Sequence, residues 1–325
     1  MKIGLLRGRE NSFPNAVIEK INSMNAGVTA EFVQLGGTSL SEPCPYRVIL
    51  DRISHEVPYY QVYLKQASLQ GTYVVNNPFW VHQDDKFFGY SLAQKLGIPV
   101  PKTSVLPNRA YTADINDQSL RNLWPLDWNY RLKEVGLPCY MKPAFGGGWR
   151  NVYKIESAQQ AVDAYNESGT LTMMLQEAIK WEDYIRCICI GRKYTRAIRY
   201  IPRPGGMGEY VQDLSVVDPK HAKLAAEYSI AFNEAIGYDT NAMEFAVRDG
   251  VLYAIDITNH ACDMDHKSLR DAHFPWAVEH VSKFLVETAK SGARNMPTGN
   301  FGEVMKQATK AAEKSDKKEK ALAKA

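Results

Sequence analysis

The stretch "YMKPAFGGGWRNVY", residues 140–153, combines a strand-like apolar run, one lysine and three consecutive glycines. Inside a helix or strand, each glycine costs about 0.5–1 kcal/mol relative to alanine because its backbone loses more freedom on folding. Three in a row therefore indicate a turn, or a loop whose bare backbone comes close to a ligand. Because Lys142 stands just before the glycines, phosphate is one candidate for that ligand.

The composition indicates a globular protein with a sizeable core. The chain has 325 residues, 45% of them hydrophobic and 11% aromatic, which is enough for two or three packed lobes. No apolar run approaches the roughly 18–20 residues that cross a bilayer, and "MKIGLLRGREN" meets charge too early for a signal peptide. We therefore expect no membrane partner and a cytoplasmic location.

The cysteines give no sign of a metal or redox site. They are five in number, at positions 44, 139, 187, 189 and 262. The one close pair, Cys187 and Cys189, has a spacing that differs from the C-x-x-C of zinc and redox motifs. We predict reduced, packed thiols.

The net charge of +3 arises in the C-terminal tail. Residues 306–325 contain seven lysines and three acidic residues, or +4, which leaves −1 on residues 1–305. Lysine-, alanine- and glutamate-rich sequence is typical of a solvated, partly helical extension. Since the rest of the chain has no basic excess, we do not expect nucleic acid as a partner.

The order of the predicted elements is that of an α/β protein. "MKIGLLRG" predicts a strand, "SFPNAVIEKINSM" a helix, and "VTAEFVQLG" and "YRVILDRI" two more strands. Further along, we expect a helix capped by Ser157 and a strand pair that turns at Asp249 and Gly250. We predict four segments, namely 1–105, 106–185, 186–292 and the lysine- and alanine-rich tail 293–325.

Four stretches in succession carry a family resemblance. They are "DDKFFGYSLAQKLGIPVPKT", "YMKPAFGGGWRNV", "LQEAIKWEDYIRCICIGRKYTRAIR" and "MEFAVRDGVLYAIDITN". None of them matches the P-loop or the G-x-G-x-x-G turn. Their order resembles the ATP-grasp superfamily, which includes D-alanine–D-alanine ligase, glutathione synthetase and the ribosomal-protein glutamate ligases. The resemblance covers about residues 75–285. It implies an α/β (α+β) fold with an N-terminal α/β preceding domain, a lid subdomain (106–185) and a C-terminal metal-binding lobe.

The resemblance implies which residues bind the phosphates of ATP. Lys86 matches the family's first phosphate-binding lysine, and Lys142 matches the second, on the strand before the lid. Gly146, Gly147 and Gly148 match the flexible loop that covers the β- and γ-phosphates, where backbone amides donate to oxygen without a Cβ in the way.

The adenosine contacts are implied in the same way, with one departure. "LQEAI" matches the hinge, where the backbone of Glu177 and Ile179 borders the adenine. Relatives in the glutamate-ligase branch have an acid two residues before the matching arginine, but this chain has Tyr184 there, with Glu182 and Asp183 just upstream. We predict Asp183 for the ribose contact, with its neighbours as alternatives.

The resemblance also implies a metal site on the last strand pair. Glu244, Asp256 and Asn259 match its ligands, and such oxygen ligands suit Mg²⁺, with Mn²⁺ as an alternative. Many relatives have the last two ligands two residues apart, whereas "IDITN" separates them by three, so Thr258 is a further candidate.

Two arginines are the expected catalytic cations. By analogy, Arg186 and Arg199 lie on adjacent strands that face the phosphates, where positive charge stabilises phosphoryl transfer. Ion pairing on a strand surface would also explain either residue.

Candidate substrate-binding residues are predicted from their position directly after predicted strands. Arg52, His55 and Glu56 come after a predicted strand, where an open α/β sheet forms its binding crevice, although ordinary helix capping explains this stretch equally well. In "NHACDMDH", which follows the metal strand, His260 and Asp263 together with Asp265 could recognise an amine, or belong to a polar loop.

The expected function is an ATP- and Mg²⁺-dependent ligase. In most of the superfamily a carboxylate is activated as an acyl phosphate and attacked by an amine. We therefore predict small carboxylate and amine substrates, with a homodimer as an allowed assembly. A kinase acting on another acceptor and an ATP-binding module without turnover remain alternatives.

Overall fold

A parallel sheet forms the first part of the computed structural model, which describes residues 1–81, 85–112, 115, 120, 126–203 and 208–295. Its elements are β1 (Lys2–Leu6), α1 (Ser12–Ser23), β2 (Thr29–Phe32), β3 (Val48–Asp51), α2 (Pro58–Leu69) and β4 (Tyr73–Val75). The strand order is β2-β1-β3-β4, with every pair parallel. Residues 48–50 are buried, as expected of a central parallel strand covered on both faces. The predicted strand, helix, strand, strand opening is confirmed.

An antiparallel sheet follows. This part of the chain contains α3 (Lys86–Lys95), β5 (Thr103–Val105), α4 (Trp128–Val135), β6 (Cys139–Pro143), β7 (Tyr153–Ile155), α5 (Ala158–Glu167) and β8 (Met173–Glu177). The strand order is β5-β8-β6-β7. The Ser157 side chain accepts a hydrogen bond from the backbone N–H of Gln160, which confirms it as the cap of α5.

A second antiparallel sheet completes the described chain. Its elements are β9 (Asp183–Ile190), β10 (Tyr194–Ile201), β11 (Glu209–Tyr210), a 3₁₀ turn (Leu214–Val216), α6 (Pro219–Ile236), β12 (Thr240–Arg248), β13 (Val251–Asp256) and α7 (His266–Ser291). The strand order is β11-β10-β9-β12-β13. The predicted turn at Asp249 and Gly250 is confirmed, and both residues have positive φ, of 53° and 72°.

The two faces of this last sheet pack differently. One face shares a continuous core with the parallel sheet, α1 and α7, and this core includes Ile188, Ala242 and Leu5. The other face, with Cys187 and Phe245, packs against α3 and α6. All five cysteines are free, and four of them are buried, which confirms the predicted packed thiols.

Two features bear on the predicted segments. Residues 103–105 pair with β8, so they lie in the middle sheet although the predicted boundary falls after residue 105. Of the predicted tail 293–325, Asn295 is buried and its side chain bonds to both the N–H and the C=O of Val74. The remainder, 296–325, lies outside the described residues. Among the described helices, none is long and apolar enough to cross a membrane.

Candidate active site

A cavity of about 440 Å³ lies between the two antiparallel sheets. This volume falls in the range of small-molecule sites, roughly 300–1,000 Å³. Most predicted nucleotide and metal residues line it, namely Lys86, Lys142, Gly146, Gly147, Gly148, Glu177, Ile179, Glu244 and Asp256. Residues that are far apart in sequence therefore meet around one space.

Lys142 is held in the cavity wall by an aromatic neighbour. Its Nζ donates a 3.0 Å hydrogen bond to the hydroxyl of Tyr90. Burial lowers the pKa of Lys142, but Tyr90 and the carboxylates of Asp256 and Glu244 outweigh burial, so the pKa lies above its ordinary value. The side chain therefore remains a cation although it is partly buried.

Lys86 joins α3 to the glycine loop. Its Nζ and its backbone N–H donate to the carbonyl oxygens of Gly146 and Ala144, respectively. Gly146 and Gly148 have φ of 86° and 72°, a conformation that other residues rarely adopt. A Cβ at any of the three glycines would meet nothing within 4 Å, so the loop leaves open space beside the lysine.

The acidic wall is formed by Glu244 and Asp256, which are paired across β12 and β13. The Tyr184 hydroxyl donates to Glu244 Oε2 at 2.8 Å, and Arg186 lies 3.3 Å from Oε1. Burial raises the pKa of Glu244; the Arg186 charge opposes this shift, whereas the charge of Asp256 adds to it.

The donor set at this wall suits a hard cation. Asp256 Oδ1 is buried without a hydrogen-bond partner, and a bound cation would satisfy it. No group of three or more His, Cys, Asp or Glu residues with metal-binding geometry occurs in the described parts of the chain. Two carboxylates alone remain compatible with Mg²⁺, which usually keeps waters and substrate phosphates in its shell.

Asn259 is not among the described residues that line the cavity. Its backbone N–H donates to Asn241 Oδ1 at 2.7 Å, and its carbonyl oxygen accepts from the N–H of Ala242. These bonds fix the course of the chain directly after Asp256. The predicted role of Asn259 as a metal ligand remains a prediction.

The two predicted catalytic arginines lie on opposite faces of their sheet. Arg186 pairs with Ile198 across β9 and β10, whereas Arg199 pairs with Ile185, and successive residues of a strand alternate in direction. Arg186 is 7% exposed. Its guanidinium lies over the Tyr200 ring, with 5.0 Å between Cζ and the ring centroid. The structure brings Arg186, but not Arg199, to the cavity-lining glutamate.

Arg199 instead forms an ion pair with Asp183, with 2.7 Å from Nε to Oδ1. Neither residue is among the described residues that line the cavity. Their predicted roles at the phosphates and the ribose therefore remain predictions. At the predicted hinge, the Glu177 carboxylate pairs with Arg248 at 2.7 Å, while Ile179 is buried.

The predicted substrate residues lie together, although some are already engaged. Arg52 forms a two-pronged ion pair with Glu10, at 2.8 and 2.7 Å, and also donates to the carbonyl oxygen of Cys262. Glu56 pairs with the exposed Arg9 at 2.7 Å. The rings of His55 and His260 meet edge to face at 5.5 Å, and burial lowers the pKa of His55.

The acids that follow His260 stabilise local structure. Asp263 accepts hydrogen bonds from the N–H of Asp265 and from the Ser268 hydroxyl. Asp265 accepts from the N–H groups of Ser12 and Phe13 at the start of α1. Recognition of an amine by either carboxylate would have to compete with these bonds.

Sequence reasoning missed several residues that line the cavity, and it also missed Tyr90, which bonds to Lys142 but is not among the described lining residues. Tyr90 stands four residues after Lys86, one helical turn away, and this spacing is a signal that could have found it. Phe145, Trp149 and Trp181 contribute exposed aromatic surface to the lining. No local motif marks these three rings.

Comparison with known proteins gives a fold relationship. No family model matches the chain, and no curated protein matches it. Among solved structures, a RimK domain ATP-grasp protein from Sphaerobacter thermophilus is similar with a TM-score of 0.62 and 18% identity, over 89% of this chain and 99% of that one. D-alanine–D-alanine ligase from Bacillus anthracis has a TM-score of 0.60 and 16% identity, over 89% and 97%.

A third similar structure is the ATP-grasp ligase PsnB complexed with minimal precursor, Mg and ADP. Its TM-score is 0.57 at 15% identity, over 89% of this chain and 98% of that one. At such identities the likeness establishes the fold and no activity. The protein has the ATP-grasp fold, as the resemblance of its sequence predicted.

Proposed function

We propose that the protein is an ATP- and Mg²⁺-dependent, ADP-forming carboxylate–amine ligase. The observation that carries the proposal is that two lysines, a bare glycine loop and a pair of carboxylates line one cavity. The solved structures of similar fold include ligases, one of them with Mg and ADP bound. A cytoplasmic location and a homodimer remain predictions from the sequence.

ATP would lie with its phosphates among Lys86, Lys142 and the glycines. The lysines supply positive charge, and the loop supplies backbone N–H groups with no Cβ to obstruct them. Ile179 and Trp181 offer apolar surface for the adenine. Positioning and charge are what phosphoryl transfer mainly requires of a protein.

Glu244 and Asp256 would hold the cation, and Asn259 is proposed to complete its shell. The cation, Mg²⁺ or alternatively Mn²⁺, would neutralise charge on the phosphates and orient them. Lys142 would act beside the metal ion, because its ammonium group in the cavity wall offsets negative charge on the transferred phosphoryl group.

The reaction has two steps. A carboxylate oxygen of the substrate attacks the γ-phosphorus, the bond to the β-phosphate oxygen breaks, and ADP leaves. The amine nitrogen then attacks the acyl carbon, the bond to the phosphate oxygen breaks, and phosphate leaves as the nitrogen loses a proton. Arg186 is proposed to offset the negative charge of the tetrahedral adduct, with Arg199 as a second cation only if the sheet rearranges.

The two substrates would enter between residues 52–56 and 259–265, which include Arg52, His55, Glu56, His260 and Asp263. What supports this location is the contact of the two segments through the His55 and His260 rings and through the Arg52 to Cys262 bond. The polar groups at this junction suit small charged molecules rather than apolar ones.

The proposal is tested by trapping the intermediate. Pooled amino acids and small carboxylic acids are incubated with protein, ATP, Mg²⁺ and hydroxylamine, and hydroxamates and ADP are measured by mass spectrometry. A ligase gives a hydroxamate with its own acid, and the yield disappears in Lys142→Met. A phosphorylated alcohol with no hydroxamate would establish the kinase alternative, and ATP binding without ADP release would establish a module without turnover.

A further inference from the structure

Both carboxylate oxygens of Glu244 are engaged by residues of a single strand. Tyr184 and Arg186 lie two apart on β9 and therefore on one face of the sheet. The Tyr184 hydroxyl reaches Oε2 at 2.8 Å, and the Arg186 guanidinium reaches Oε1 at 3.3 Å. The Glu244 carboxylate is thus fixed from two sides.

Asp256, the partner of Glu244 across the strand pair, is held differently. Its Oδ1 is buried and accepts no hydrogen bond. The two carboxylates of this wall are therefore unequal, since one has its orientation set by protein donors and the other retains an unsatisfied oxygen. A bound cation would meet one fixed ligand and one that can adjust.

The Tyr184 ring is itself locked in place. It lines the cavity, is 6% exposed, and contacts Trp181 edge to face with 5.6 Å between centroids. The Tyr200 ring is a second neighbour, with centroids 6.3 Å apart. A ring packed in this way carries its hydroxyl at a fixed point, which suits a group that orients another side chain.

We propose that Tyr184 is a positioning residue that orients Glu244 for the divalent cation of a bound nucleotide. This inference rests on the proposed function. An ionised carboxylate has about four lone-pair sites, so one hydrogen bond at Oε2 and one ion-pair contact at Oε1 leave room for a cation. Because the phenol is neutral, it orients Glu244 without adding a third negative charge to the wall.

The test measures cation binding rather than turnover. Tyr184→Phe removes only the hydroxyl, and Mn²⁺ affinity is followed by electron paramagnetic resonance in the presence of a non-hydrolysable ATP analogue. We expect Mn²⁺ to bind about 10- to 100-fold more weakly, as for other residues that orient metal ligands. Affinity for the analogue without metal should stay within about 2-fold. The matched control is Tyr228→Phe, whose ring lies against Phe245 with centroids 6.3 Å apart and is not among the described cavity-lining residues.

A double-mutant cycle separates orientation from direct contact. In Glu244→Gln the anionic ligand is already lost, so adding Tyr184→Phe should change Mn²⁺ affinity by less than about 2-fold. An undiminished Tyr184→Phe effect in that background, or a loss of metal-free analogue binding, would overturn the assignment because Tyr184 would then contact the ligand itself. Unchanged Mn²⁺ affinity in Tyr184→Phe would overturn it while leaving the proposed function intact. Failure of the unmodified protein to bind the analogue with Mn²⁺ would overturn both.

Discussion

The ammonium group of Lys142 donates a 3.0 Å hydrogen bond to the hydroxyl of Tyr90, four residues after Lys86 on α3. Tyr90 in turn donates to the carbonyl oxygen of Ile255, the residue before Asp256. The helix α3 therefore connects Lys86 and Lys142 to β13, the strand that ends at Asp256. The distances between the lysine ammonium groups and the carboxylates of the acidic wall thus depend on α3 as well as on the sheets.

The first prediction concerns Lys142. Replacing it with methionine keeps an apolar stem but removes the cation that would face the phosphates. ATP at 100 times its dissociation constant should stabilise the unmodified protein by about 2.7 kcal/mol, and this gain should largely vanish in Lys142→Met. Thermal unfolding with and without ATP measures this stabilisation for each variant. The control is Lys154→Ala, an exposed lysine on the neighbouring strand β7, which should retain the full gain. A similar gain in Lys142→Met would contradict the assignment.

The second prediction concerns Asp256. Asp256→Asn preserves shape but halves the negative charge of the wall, so turnover should fall on the order of 100-fold or more, with an unchanged circular dichroism spectrum. ADP release measures the effect. Asp249→Asn is the matched control at the opposite end of the same strand pair, in a turn with positive φ that asparagine tolerates well. Equal turnover in Asp256→Asn and the unmodified protein would reject the carboxylate as a metal ligand.

Features set by neighbouring residues could be predicted from the sequence. The cap at Ser157 and the turn at Asp249 and Gly250 have their determinants within a few positions, so local chemistry was sufficient. Lys142 and the glycines are also adjacent in sequence.

Contacts between distant residues could not be predicted in this way. Tyr184 and Glu244 are 60 positions apart, and Glu10 and Arg52 are 42 apart, so no local pattern selects the partner. The directions of Arg186 and Arg199 depend on strand register, and a shift of one residue reverses the face on which a side chain lies. Register follows from the packing of the whole sheet.

The third prediction concerns the tail. Residues 306–325 lack an apolar stripe and are rich in lysine, alanine and glutamate, so their sequence predicts that they can be deleted without loss of core packing. The melting temperature should change by less than about 2 °C, and turnover should persist. Differential scanning calorimetry and ADP release on the truncated chain measure both. A deletion from residue 293 should be far more damaging, because it removes the buried Asn295 that bonds to Val74. Equal behaviour of the two truncations would contradict this distinction.

The last prediction separates a structural from a substrate-binding role for Arg52. Its side chain is 3% exposed and that of Glu10 is 10% exposed, so Glu10→Gln leaves a buried cation facing a neutral amide. The unfolding free energy should fall by about 3–5 kcal/mol, measured by denaturant titration. Glu31→Gln breaks the exposed pair with Lys2, whose side chains are 46% and 51% exposed, and should cost no more than about 1 kcal/mol. Were Arg52 instead a substrate cation, its release from Glu10 would lower the KM for the carboxylate. A small stability loss together with a lower KM in Glu10→Gln would therefore establish Arg52 as a binding residue rather than part of the scaffold.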